Sequence, residues 1–172
     1  MRGFLEKIYL GAGYLAGVFL VGTLLAVLAS IFGRLLSLNT PGADAYAGYC
    51  MAAAAFLALP YTLRHGEHIR VTLFLHHVGV KTNRVMEVFC HAVAVFLSGS
   101  LAWYSVRLVW QSHLFHDVST GLDATPLWIP QLGMTAGAVL FFVAFVQDFI
   151  AWLAGTPVGH TSARDAAPTH IE

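Results

Sequence analysis

The sequence predicts an all-α, polytopic membrane protein with four transmembrane helices and a short interfacial helix between spans two and three. Three observations predict it. Four long apolar stretches, residues 10–33, 46–63, 88–106 and 127–146, contain no Asp, Glu, Lys or Arg, and each has about the length that crosses ~30 Å of hydrocarbon at ~1.5 Å per helical residue. The chain is 58% hydrophobic and 10% charged, against about 25% charged residues in soluble domains. Its basic residues fall mostly on alternate connections, as the positive-inside rule requires of a chain that crosses the bilayer repeatedly.

At 172 residues the expected organisation is one membrane domain over 1–156, with spans at about 8–33, 46–63, 85–110 and 127–154. An interfacial segment is expected at 68–84 and a disordered cytoplasmic tail at 157–172, where Pro, Gly and scattered polar residues replace the apolar runs. Arg2 and Lys7 precede the first span, Arg64, Arg70, Lys81 and Arg84 follow the second, and Arg164 lies in the tail. The opposite side receives Arg34 and Arg107, against Asp44, Asp117 and Asp123. Both termini are therefore expected in the cytoplasm, which an even number of spans requires to be the same side. Tyr46, Tyr49, Trp103, Tyr104, Trp110 and Trp128 cluster at the outer boundary, where amphipathic rings prefer the headgroup level.

The first span could be read as a secretion signal, with Arg2 and Lys7 before an apolar run and a small-residue stretch at 26–30. The run continues to Gly33, beyond the ~7–15 residues of a signal core, so an uncleaved helix is expected. Gly13 and Gly17 form a small-xxx-small pair there, as Gly133 and Gly137 do in the fourth span. Such pairs allow helix backbones to approach closely, either inside this domain or against another subunit. Span two is alanine-rich, including Ala54 and Ala58, and should pack against bulkier neighbours such as the Phe-rich fourth span. Pro60 near its inner end should kink the last turn or be satisfied by a neighbour, and Gly66 fits a C-cap.

The segment from His68 to Arg84 is too short and too polar at its edges to cross. Its apolar centre suits a helix lying in the cytoplasmic interface with basic ends on lipid phosphates, or else a greasy loop. Before span four, Thr125 reads as an N-cap hydroxyl and Pro126 as a first helical residue that needs no amide donor. Pro130 is tolerated if the regular helix begins near Ile129.

Few residues suggest chemistry. The formal net charge is zero, with no basic footprint for nucleic acid. Cys50 and Cys90 lack metal-ligand or disulfide spacing and read as packing residues. No nucleophile elbow, zinc-protease motif or phosphate-binding glycine loop is present, so no enzyme, cofactor or metal centre is expected. His65 and His91 lie toward the same side and could in principle hold a b-type haem, as in a cytochrome-like membrane anchor. Against this, His65 lies outside the apolar run, and headgroup-level histidines and one interhelical hydrogen bond account for the same residues. Asp148 falls at the inner interface. An ion pair with Arg64, Arg70, Lys81 or Arg84 accounts for it, and a proton-coupling carboxylate is the bolder alternative.

Two segments carry a family resemblance. Residues 59–71, LPYTLRHGEHIRV, end span two in an R-x-G-x-H-I-R-V pattern, and residues 125–130, TPLWIP, lead into a glycine-containing fourth span. With the length, the four spans and the cytoplasmic termini, the chain resembles the small membrane subunit (DctQ family) of tripartite ATP-independent periplasmic (TRAP) transporters over nearly its whole length. It departs from the family in having Thr135-Ala136 rather than a proline before the mid-helix Gly137. The resemblance implies a bacterial inner-membrane system. A periplasmic binding protein delivers an organic acid, a large elevator-type subunit carries the substrate and sodium sites, and the small subunit braces and anchors it. On that view Arg64, Gly66, His68, Arg70 and Arg84 anchor the inner face to phospholipid or to the large subunit. Gly13, Gly17, Ala54, Ala58, Gly133 and Gly137 pack helices, and the outer loops with Asp44, Asp117 and Asp123 face the binding protein. The small subunit of another tripartite carboxylate transporter would share this size and layout.

Overall fold

The computed structural model describes residues 2–37, 42–64, 80–119 and 124–154. Among them are four helices, α1 (Arg2–Leu35), α2 (Ala43–Arg64), α3 (Val80–Leu114) and α4 (Trp128–Leu153). All four are long and apolar enough to span a membrane, and the protein is a multi-pass membrane protein. Helices are the form such segments must take, because each buried backbone N–H and C=O is then satisfied within its own segment.

Three helices run past the expected spans, α2 by starting at Ala43 rather than at 46. α1 begins at Arg2 rather than near residue 8, and α3 at Val80 rather than near 85. Neither of these last two extensions contains Gly or Pro after the first residues of the turn, so good helix formers such as Glu6, Lys7 and Lys81 continue the helix beyond the apolar run, at the end expected to face the cytoplasm and called inner below. The interfacial helix expected over 68–84 falls on residues outside those described as far as 79; from Val80 the backbone already belongs to α3. The tail, 157–172, also lies outside the described residues.

The helix ends are set by local chemistry. Ser37, just past α1, takes φ 53° and its N–H reaches the Arg34 carbonyl at 3.3 Å. α3 ends in a Schellman arrangement: His116 adopts φ 54°, and the Asp117 N–H turns back to the Ser112 carbonyl at 3.0 Å. α4 starts two residues later than expected. Leu127 occupies the N-cap with no side-chain cap bond, because the Thr125 hydroxyl is held by Tyr46 and Pro126 is bridged to Val118. Pro130 then lies in the first turn, where its missing N–H has no helical acceptor to lose.

The helices pack side by side in the order α1–α2–α4–α3, with α1 on α2, α2 on α4 and α4 on α3. Among the described residues this is a row rather than a closed bundle around a common core, with α1 also touching α4 at one end, where Tyr9 reaches Gln147. Small residues make its seams. Ala12 and Ala16 of α1 meet Ala53 and Leu57 of α2, with Phe19, Ala58 and Leu140 packed around them. Tyr9, Leu63 and Ala144 join α1, α2 and α4 at the inner end. On α3 a stripe of Ser98, Ala102, Ser105 and Ser112 is buried, and the Thr135 hydroxyl of α4 donates to the Ser105 carbonyl at 3.3 Å. In lipid there is no water to drive apolar side chains together, so backbone approach and van der Waals contact hold such seams. The large apolar side chains point outward instead, among them Val18, Leu25 and Phe32 on α1 and Phe89, Phe96 and Trp110 on α3.

Candidate functional site

The inner end of the row holds a buried ion pair. Arg64, the last residue of α2, turns its guanidinium into the protein. Its Nη1 lies 3.4 Å from Asp148 Oδ1, with the two side chains only 17% and 13% exposed. Its Nη2 donates to Gln147 Oε1, and the same oxygen accepts the Tyr9 hydroxyl at 3.2 Å. The guanidinium carbon also sits 5.0 Å from the centre of the Tyr9 ring, within cation–π range. Tyr9 is on α1, Arg64 on α2, and Gln147 and Asp148 on α4, so one cation ties three of the four helices. Sequence reasoning anticipated the Arg64–Asp148 encounter but not Gln147 or Tyr9. Neither Tyr9 nor Gln147 stands in a motif or a spacing that singles it out in the sequence.

Above this lock the α2–α4 seam is set by two glycines. A methyl group at Gly133 would lie 2.9 Å from the Ala53 Cβ, and one at Gly137 would collide with the backbone of Phe56 and lie 2.7 Å from the Leu57 nitrogen. Pro60 explains why α4 comes so close there. It provides no N–H for the Phe56 carbonyl four residues earlier, α2 nevertheless continues to Arg64, and Gly137 presents its bare backbone to that carbonyl. Ala54 is buried in α2 and Ala58 packs on the α1–α2 cluster. The first-span pair divides. A methyl at Gly13 would strike the Tyr61 ring at 2.8 Å, whereas Gly17 opens onto empty space.

The outer end is tied by hydroxyls and one exposed ion pair. Asp44 accepts the Ser30 hydroxyl at 2.6 Å and pairs with Arg34 at 2.7 Å, joining α1 to the start of α2. The α3–α4 connection folds back on itself: the Leu127 N–H donates to the Asp117 carbonyl at 2.9 Å and the Ser119 N–H to the Thr125 carbonyl at 2.8 Å. Tyr49 donates to the Ser119 hydroxyl at 2.8 Å, and the Tyr46 and Thr125 hydroxyls share a hydrogen bond at 3.0 Å. Among the expected outer acids, Asp44 is thus engaged within the chain, Asp117 shapes the turn through its backbone, and Asp123 lies outside the described residues.

Of the inner-face residues, Gly66, His68 and Arg70 lie outside the described residues, as does the Arg84 side chain. His65 does too. His91 stacks near Phe149 and Trp152 of α4, with ring centres 6.4 and 6.0 Å away. That places it in the α3–α4 seam.

Compared with known families, residues 23–155 match the model described as "Tripartite ATP-independent periplasmic transporters, DctQ component". The match runs from the outer half of α1 to the residue after Ala154, and leaves Tyr9 and Gly13 outside it. No curated protein and no solved structure matches the chain.

Proposed function

The chain belongs to that family and is a small membrane component of a TRAP transporter; on this premise we propose that it is the fixed scaffold of a sodium-coupled importer of an organic acid. A periplasmic binding protein delivers the substrate, and a large elevator-type subunit carries both the substrate and sodium sites. The small subunit braces that partner in a bacterial inner membrane, with both its own termini in the cytoplasm. It is not itself an enzyme, and it holds no cofactor.

The observation that carries this reading is the row. Four helices set side by side make a wide slab with two open flanks, a shape that extends a partner's footprint in the bilayer. The seams are built from Ala, Gly and Ser, and the buried ion pair is held on one side by Gln147 and Tyr9. A charge so fixed resists the movement of helices rather than accompanying it. In this role Arg64 locks the slab internally. Gly66, His68, Arg70 and Arg84 set its inner face against phospholipid or the large subunit, and the outer loops at Asp44, Asp117 and Asp123 meet the binding protein.

Reconstitution tests this directly. In liposomes under a sodium gradient, with binding protein and substrate outside, the chain together with its large subunit gives uptake and the chain alone gives none. Sodium-dependent uptake by the chain alone overturns the scaffold reading.

A further inference from the structure

We draw no further inference here: the strongest candidate, the outward face of α3, where exposed Phe89 and Phe96 lead to Arg107 among the boundary aromatics Trp103, Tyr104 and Trp110, carries none because nothing in the structure shows what covers it.

Discussion

Gly137 of α4 lies against the Phe56 carbonyl of α2, the carbonyl that Pro60 leaves without a helical donor. A proline in one helix and a glycine in its neighbour thus answer each other. The break in the hydrogen-bond ladder falls where a second backbone can come close, and a Cα–H···O contact is the available compensation. A side chain added at 137 meets backbone, which cannot rotate away.

Gly137→Ala is therefore expected to force α2 and α4 apart and destabilise the purified chain by about 1–3 kcal/mol, as overpacking does elsewhere. Gly17→Ala, on the other motif of the same spacing, meets nothing and is expected to be neutral or slightly stabilising through helix propensity. Denaturant titration in detergent, read by Trp fluorescence, compares the two. Equal effects would mean that close approach at Phe56 is not what holds the seam.

That contrast shows what was legible in the sequence. The four spans and their family were, because lipid imposes length and apolarity on any crossing segment and the R-x-G-x-H-I-R-V run stands out beside them. Which glycines pack was not. Gly13 and Gly17 have the same spacing as Gly133 and Gly137, and only the order of helices in the row decides that Gly17 has no neighbour. Spans that are apolar on every side give no signal of which face is inward. The stripe of Ser98, Ala102, Ser105 and Ser112 carried that signal for α3, as small residues at helical spacing, and it was overlooked. Thr125 misled for another reason: its hydroxyl was assigned to the helix start, but a hydroxyl satisfies whichever partner is near, and Tyr46 is nearer.

The Arg64 lock makes a sharper energetic prediction. Arg64→Leu leaves Asp148 buried without its cation and frees Gln147, so a loss of about 3–5 kcal/mol is expected, as for other buried pairs broken on one side. Arg64→Leu with Asp148→Leu removes both charges and should recover a large part of that loss. Arg64→Lys should not, since an ammonium cannot serve Asp148, Gln147 and the Tyr9 ring together. A double-mutant cycle on unfolding free energies checks the coupling; additive effects would show that the two charges do not interact.

At the outer end the Arg34–Asp44 pair is expected to behave differently. Its side chains are 74% and 70% exposed, and exposed pairs are screened by salt and weakened by side-chain entropy. Arg34→Ala should leave the unfolding midpoint unchanged at physiological salt. A clear drop would mean that the pair is shielded, as it would be beneath a bound partner.

Transport separates a structural charge from a working one. Among the described acids Asp148, toward the end of α4, is the one best placed to couple a cation, yet it is already paired with Arg64. A carboxylate that bound sodium or a proton in each cycle would have to leave that arginine, and Gln147 and Tyr9 hold the arginine in place. Asp148→Asn keeps the side chain's shape and a hydrogen-bonding oxygen. It is expected to lower stability modestly while leaving the sodium dependence of uptake by the whole transporter unchanged: the same half-saturating sodium and the same number of ions per substrate. Uptake assayed against sodium concentration in proteoliposomes decides it, because a purely structural loss scales the rate without altering the shape of the curve. A changed Hill slope would place Asp148 in the coupling path and make this component part of the transport cycle.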